Sequence, residues 1–173
     1  GTLLMALANQ KGHLLLATGN KSELAVGYCT LYGDMNGGLA VIGDLYKTSV
    51  FKICKWIDSK NSLKFRSEFG LTQSEEIVGE AILTKPPSAE LRPGQLDSDS
   101  LPDYEVLDPI LKAFIEKESS TEELINTGNS PDLIQKVQRL LKQAEFKRWQ
   151  APPLLKVSNQ SFGSGWRLPI ASK

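Results

Sequence analysis

Residues 13–34 read HLLLATGNKSELAVGYCTLYGD, and this stretch passes from an apolar run through a polar turn into a helical pattern. The run HLLLAT is short, continuous and apolar, which predicts a strand buried on both faces of a parallel sheet. From Asn20 the apolar residues recur at helical spacing, and Asn20 and Glu23 fit a capping box at a helix N-terminus. The stretch therefore predicts a strand followed directly by a helix, as in an α/β sheet.

The polar turn stands where α/β proteins bind their ligands, at the carboxyl end of a parallel strand. A helix N-terminus there offers free amides and partial positive charge to an anion. One hypothesis is that Thr18 contacts a nucleotide and that Glu23 helps to hold Mg²⁺ or a second substrate. The alternative is that Asn20 and Glu23 only cap the helix. These residues by themselves leave both interpretations open.

The composition limits the class of protein. At 173 residues one domain is expected, and 20 basic residues balance 20 acidic ones, so no broad field attracts nucleic acid or an anionic membrane. No apolar run approaches the roughly 20 residues of a membrane helix. Cys29, Cys54 and the single His13 lack metal-ligand spacing. Reduced thiols and a cytoplasmic location are predicted, with no nucleic-acid or membrane partner.

Helical spacing predicts further helices along the chain, separated by two irregular regions. Residues 58–76 are predicted to be a surface connection, and residues 80–104, with four prolines, a long loop that is either a lid or a disordered linker. The predicted helices are one ending before Gly12, one beginning after Asp44, one over Leu107–Phe114 that starts at Asp108 and Pro109 or earlier, one from Ser120 to Gly128, and one beginning at Ser130.

Lys47 falls in the first turn of the helix predicted after Asp44. A lysine there opposes the helix dipole at a cost of roughly 0.3 to 1 kcal/mol, and a bound phosphate would remove the conflict. The alternative is a solvated lysine whose side chain bends away. Lys147 and Arg148 lie in the last turn of a predicted helix, where positive charge is favourable without any ligand.

Five segments stand in one order along nearly all of the chain: TGNKSELAVGYCTLYGDMNGG, LYKT, TKPPSAELRP, DSLPDYEVLD and EFKRWQAPP. Together they resemble the carboxy-terminal part of the glutamine-dependent NAD⁺ synthetases of bacteria. The resemblance implies an adenine-nucleotide α-hydrolase-like (Rossmann-like) α/β fold, of which this chain is the helix-rich C-terminal half. It also implies a ligase reaction: ATP adenylates the nicotinate carboxylate of deamido-NAD⁺, pyrophosphate leaves, and ammonia displaces AMP to give NAD⁺.

The same resemblance implies roles for individual residues. Thr18, Lys47 and Ser88 are expected to contact ATP, Glu23 and Lys147 to contact deamido-NAD⁺, and Glu23 also to hold Mg²⁺. Adenylation brings a carboxylate against a triphosphate, so lysines and Mg²⁺ suit the chemistry, and no side-chain nucleophile is needed. The expected cofactors are ATP and Mg²⁺, the ammonia comes from glutamine, and a homo-oligomer is usual in the family.

The sequence departs from the family pattern at two positions and in one larger respect. Leu31 stands where ammonia-dependent relatives have a lysine, and Trp149 where a second arginine is usual. The phosphate-binding loop Ser-Gly-Gly-x-Asp-Ser and the glutaminase are absent. The resemblance therefore predicts that residues 1–173 are the C-terminal portion of the synthetase domain, inactive alone. The alternatives are a fragment of another ATP pyrophosphatase, such as a GMP or asparagine synthetase, and a non-catalytic helical interaction module.

Overall fold

The computed structural model describes residues 1–89, 91–163 and 165–171. The chain divides into two compact units, which are taken separately below. Unit 1 combines Gly1–Lys47 with Asp103–Lys173, and unit 2 is Thr48–Pro102. The helices are α1 Thr2–Lys11, α2 Lys21–Val26, α3 Lys47–Ile57, α4 Leu63–Glu68, α5 Glu80–Thr84, α6 Tyr104–Glu116, α7 Thr121–Asn126, α8 Pro131–Gln143 and α9 Glu145–Arg148.

A small parallel sheet lies in unit 1. Strand β1, Leu16–Ala17, pairs with β2, Leu39–Ala40, with Leu16 opposite Leu39 and Ala17 opposite Ala40. The predicted helix-rich α/β class is confirmed. The prediction of a strand buried on both faces is wrong in part, because β1 has two residues and Leu16 is 49% exposed. Among the described residues β1 pairs with β2 alone. Strand β2 is too short to carry an alternating pattern and was not predicted.

The core of unit 1 packs α2 against α6 and α8. Apolar residues three or four positions apart put one stripe of each helix in the interior, where each fully buried aliphatic side chain contributes roughly 1.5–3 kcal/mol. Helix α8 begins with Pro131 after Ser130, as predicted. The least exposed members of this core are Ala25, Leu107, Leu111, Ile115, Ile134 and Val137. This packing gives α2, which follows β1, a fixed support.

Helix α6 begins at Tyr104 and contains Pro109 in its interior. Of the two predicted starts, the earlier one is therefore correct. Proline lacks an N–H, so the carbonyl four residues earlier, at Glu105, loses its helical partner. The helix continues because Leu107, Ile110 and its other apolar residues are buried against the core.

Unit 2 contains more regular structure than the sequence predicts. Residues 58–76 were predicted to be irregular, but they form a 3-10 helix, Lys60–Ser62, followed by α4. The buried Arg66 of α4 donates hydrogen bonds to the carbonyls of Thr72, at 2.7 Å, and Glu75. Local patterns do not reveal such side-chain to backbone bonds, which explains the wrong prediction.

The region predicted as one long loop, residues 80–104, is only partly irregular. It contains α5 and a 3-10 helix, Asp97–Asp99. Ahead of it, Asp58 accepts hydrogen bonds from the amides of Ile77, Val78 and Gly79, at 2.7 to 3.2 Å. These hydrogen bonds lower the pKa of Asp58 below its ordinary value, and the bond from the Gly79 amide has the largest effect.

Candidate functional site

The first turn of α2 carries a complete capping box. The Asn20 Oδ1 accepts from the Glu23 amide at 3.0 Å, and the Glu23 Oε2 accepts from the Asn20 amide at 3.1 Å. Gly27, with φ 72°, ends the helix after six residues. The predicted capping box of Asn20 and Glu23 is therefore confirmed. The box also fixes the Glu23 carboxylate in the turn that follows β1.

Lys47, at the start of α3, pairs with that carboxylate. Its Nζ lies 2.8 Å from Glu23 Oε1, and both side chains are half-buried, 20% and 16% exposed. The Lys47 amide donates to Ser22 Oγ at 2.9 Å, and its Nζ lies 5.5 Å from the ring centre of Tyr104. The interpretation of Lys47 as a solvated lysine is wrong. The negative charge beside Lys47 is supplied by Glu23, so this ion pair joins the first turn of α2 to the start of α3.

The other predicted site residues lie in different environments. Thr18 is exposed and directly follows β1. Lys147 lies at the C-terminal end of α2, whereas Glu23 lies in the first turn of this helix. Ser88 belongs to unit 2, where it lines an open concavity of about 540 Å³ together with Lys85 and Arg92. The Ser88 hydroxyl donates to the carbonyl of Gln95.

Lys147 has a structural function of its own. Its Nζ donates to the carbonyls of Gly27 and Cys29, both at 2.7 Å. The last carbonyls of a helix have no intrahelical partner, and a lysine is a favourable donor to them. Lys147 thus connects α9 to the C-terminal end of α2.

Arg148 strengthens the same connection from a buried position. Its guanidinium donates to the carbonyls of Leu24 and Ala25, at 3.2 and 2.7 Å, and to that of Leu141 at 2.6 Å. It also pairs with Glu145 at 2.7 Å. Burial lowers the pKa of Arg148, and Glu145 opposes this effect. The two basic residues predicted to need no ligand therefore join α2 to α9.

The structure reveals one cluster that the sequence did not single out. Lys21, fully buried at the start of α2, lies 3.0 Å from Asp44 and 3.3 Å from Glu116. It also donates to Ser158 Oγ and to the Gln160 carbonyl, both at 2.6 Å. A lysine in a polar turn normally indicates an exposed residue. No local signal could have shown that three distant segments converge on it.

Asp44 holds the tail of the chain to this cluster. Burial by itself would raise the pKa of Asp44, but hydrogen bonds from the Ser158 and Val157 amides and from Lys21 outweigh it, and the pKa is lowered. Its stabilising effect is therefore present above the ordinary value of 3.8 and is lost as the pH falls through the folded-state pKa. At neutral pH the Asp44 carboxylate is therefore ionised and can only accept hydrogen bonds.

The ring of Tyr46 packs against the Lys21 end of this cluster. Lys21 Nζ lies 4.9 Å from the centre of its ring. Burial raises the pKa of Tyr46, and the nearby carboxylates of Glu116, Asp108 and Asp44 raise it further. Its hydroxyl is buried and makes no hydrogen bond of good geometry to the described residues. The phenol is thus neutral at physiological pH.

Cys29 gives the first testable prediction. Burial raises the pKa of its thiol to about 11, although Lys147 acts in the opposite direction. The thiolate is the reactive form, and at pH 8 it is roughly 0.1% of the total for a pKa of about 11. We expect iodoacetamide at pH 8 to label the half-buried Cys54 while Cys29 stays unmodified, as measured by peptide mass spectrometry. In urea both should react; equal labelling rates without urea would contradict the prediction.

The described residues set limits on metals and membranes. Across residues 1–89, 91–163 and 165–171, no group of three or more His, Cys, Asp or Glu side chains is arranged to hold a metal ion. Nor does any helix within those ranges have the length and apolar character needed to cross a bilayer.

These features define a helix-rich α/β protein of the nucleotide-binding type, with polar and charged residues at the carboxyl end of a parallel strand. The chain belongs to the NAD synthase family, whose sequence profile matches residues 1–151. The resemblance drawn from five sequence segments is thus confirmed. Membership also sets aside the alternative of a different ATP pyrophosphatase.

Relatives of this family match almost the whole chain. It is 56% identical over 171 residues to the glutamine-dependent NAD(+) synthetase of Synechocystis sp., and 46% identical over 173 residues to that of Thermotoga maritima. A glutamine-dependent NAD(+) synthetase from Cytophaga hutchinsonii shares the fold, with a TM-score of 0.68 at 23% identity over 98% of this chain and 26% of its own. The chain spans 28% of the length of the first two relatives.

Proposed function

We propose that this chain acts within a complete glutamine-dependent NAD⁺ synthetase, where it contributes to the ATP-dependent amidation of deamido-NAD⁺. The family and the names of its relatives support this proposal. The observation that carries it is the ion pair between Glu23, in the first turn of the helix after β1, and Lys47, at the start of α3, with Nζ and Oε1 2.8 Å apart. A lysine and a carboxylate at this place suit a reaction between a triphosphate and a carboxylate, because developing charge of either sign meets an opposite charge.

The proposed roles of the single residues follow the chemistry. Thr18 and Lys47 contact ATP, and Lys47 offsets the charge that accumulates as the nicotinate carboxylate attacks the α-phosphate and pyrophosphate leaves. Ser88, beside Lys85 in a concave part of unit 2, contacts phosphate. Glu23 and Lys147 contact deamido-NAD⁺. Within the described residues Lys147 Nζ has two carbonyl partners, which leaves one of its three N–H groups for a substrate.

Glu23 is also the proposed Mg²⁺ ligand of this chain. Its two oxygens each accept one hydrogen bond, from Lys47 and from the Asn20 amide, so each keeps a lone pair for a cation. Mg²⁺ at ATP sites is commonly bound by one or two carboxylates together with phosphates and waters, which this chemistry fits. Bound there, the ion would neutralise phosphate charge.

The proposed partners are those of the complete enzyme. Ammonia is supplied by hydrolysis of glutamine in a glutaminase domain, and the enzyme assembles as a homo-oligomer in the cytoplasm. No nucleic acid or membrane takes part, in keeping with the net charge of zero. The glutamine-dependent relatives support the nitrogen source, since their names state it.

The proposal is tested by assaying the complete polypeptide that contains this chain. With deamido-NAD⁺, ATP, Mg²⁺ and glutamine, we expect NAD⁺, AMP and pyrophosphate to form in equal amounts. We expect the same products when ammonium is supplied as the nitrogen source instead of glutamine. Incorporation of ¹⁵N into the amide of NAD⁺ identifies the acceptor. Release of ADP and phosphate, or the absence of NAD⁺ with either nitrogen source, would overturn the proposal.

Lys47 provides the sharpest single-residue test of this function. Replacing it, Lys47→Met, removes a preformed positive charge near the phosphates, and loss of one such donor typically lowers kcat about 100- to 1,000-fold. We expect a decrease of that size in steady-state NAD⁺ formation. The control is Lys112→Met on the exposed face of α6, which should leave kcat unchanged. A Lys47→Met enzyme with more than a third of normal kcat would exclude the proposed role.

A further inference from the structure

The first turn of α2 and residues 44–47 are joined at four points. The Lys21 amide donates to the Leu45 carbonyl at 2.8 Å, and Lys21 Nζ pairs with Asp44. The Lys47 amide donates to Ser22 Oγ, and Lys47 Nζ pairs with Glu23. Because Lys21, Ser22 and Glu23 are consecutive, a shift of Asp44 or Lys21 moves the Glu23–Lys47 pair as well.

Residues 154–162, called here the tail segment, hold this assembly from the other side. Its Ser158 accepts a hydrogen bond from Lys21 Nζ at 2.6 Å and donates its own to Asp44 at 2.8 Å. The amides of Val157 and Ser158 also donate to Asp44, at 2.8 and 2.7 Å. Ser158 is the one side chain of the tail segment that bonds both members of the buried ion pair.

The tail segment is fixed at both ends. At its start, Leu154 bridges to Ala40 of β2. At its end, the buried Phe162 lies 5.0 Å from the Arg148 guanidinium, which itself binds the carbonyls of α2. These contacts at both ends hold the tail segment in place, so that it can fix the positions of the residues it binds. The segment lies beyond the family match over residues 1–151, yet it is included in the match to the glutamine-dependent relatives.

We propose that Ser158 and Lys21 are positioning residues, through which the tail segment sets the geometry of Glu23 and Lys47. Neither contacts a substrate in this proposal. The three donors of Lys21 Nζ face four acceptors, so the side chain is committed to the protein itself. The consequence for catalysis rests on the proposed function, but the consequence for the local structure does not.

The test compares three variants of the complete polypeptide by amide hydrogen exchange. In Ser158→Ala we expect peptides covering residues 18–26 and 44–48 to exchange about fivefold faster, the equivalent of one hydrogen bond of ~1 kcal/mol. Ser158→Thr keeps the hydroxyl and should restore protection. The matched control is Ser120→Ala, which removes the same group from the capping box of α7, where it accepts a hydrogen bond from the Glu123 amide.

Activity gives a second readout. We expect kcat/KM for deamido-NAD⁺ to fall about fivefold in Ser158→Ala and to stay unchanged in Ser120→Ala. Unchanged exchange in both peptides would overturn the positioning role, and so would a general loss of protection that includes α8, because it would indicate a purely structural role. If the unmodified polypeptide makes no NAD⁺, the proposed function fails, and the exchange result alone decides this inference.

Discussion

Replacing Lys21 by methionine is expected to cost about 3–5 kcal/mol of the free energy of unfolding of unit 1, the usual loss when one partner of a buried ion pair is removed. The side chain is fully buried and lies between Asp44 and Glu116, at 3.0 and 3.3 Å. In Lys21→Met both carboxylates lose their cation without gaining solvent. The midpoint of urea unfolding, followed by tryptophan fluorescence, should move to a clearly lower concentration.

Two further variants separate the electrostatic cause from a loss of packing. The double variant Lys21→Met/Glu116→Gln removes one of the two uncompensated charges and should recover part of the lost stability. The control Lys112→Met exchanges the same residue types at an exposed position of α6 and should change stability by less than about 0.5 kcal/mol. A loss below about 1 kcal/mol in Lys21→Met would contradict the prediction, since the cluster would then add no net stability.

Arg148→Met is expected to destabilise unit 1 by a similar amount, about 3–5 kcal/mol, because it leaves Glu145 as a buried charge without its partner. It also leaves the carbonyls of Leu24, Ala25 and Leu141 without their donor. The guanidinium lies 5.0 Å from the Phe162 ring and 5.4 Å from the Trp166 ring, so the tail loses a packing partner too. Urea unfolding of the variant measures the total.

At this position we expect stability to depend on the planar guanidinium with its several donors, and not on the positive charge alone. Arg148→Lys keeps the charge, but a lysine has three donors and no planar fork, so it should recover less than half of the loss. Arg139→Met, on the exposed side of α8, is the matched control and should have little effect. Full recovery by lysine would show that the separate carbonyl bonds contribute little.

Local sequence patterns predicted those parts of the fold that depend on neighbouring residues. The capping box of Asn20 and Glu23 and the start of α8 at Ser130 both follow from contacts within one helical turn, whereas the end of α2 at Gly27 was missed because the helical pattern continues to Tyr28. Such signals need no knowledge of the rest of the chain. Prediction was weaker where a helix depends on contacts outside its own turns. Helix α4, for example, is stabilised by hydrogen bonds from Arg66 to carbonyls six and nine residues further on.

The candidate site shows the same division. The resemblance placed Thr18, Glu23, Lys47, Ser88 and Lys147 in functional roles that stay predictions. The structure supplied the contacts of Glu23 with Lys47 and of Lys147 with α2, which are separated by 24 and 118 to 120 residues. Contacts of that sequence separation leave no local periodic signal.

By itself, then, the sequence determined the α/β class, several helix starts and the family, because propensity, capping and short motifs are written in adjacent residues. Only the tertiary structure decided what Lys21 does. A lysine in a polar turn has the sequence signature of an exposed residue, and its burial becomes favourable only when Asp44, Glu116 and Ser158 are brought around it. The physical reason is that a buried charge is stable only with its partners in place, and those partners come from three separate segments of the chain.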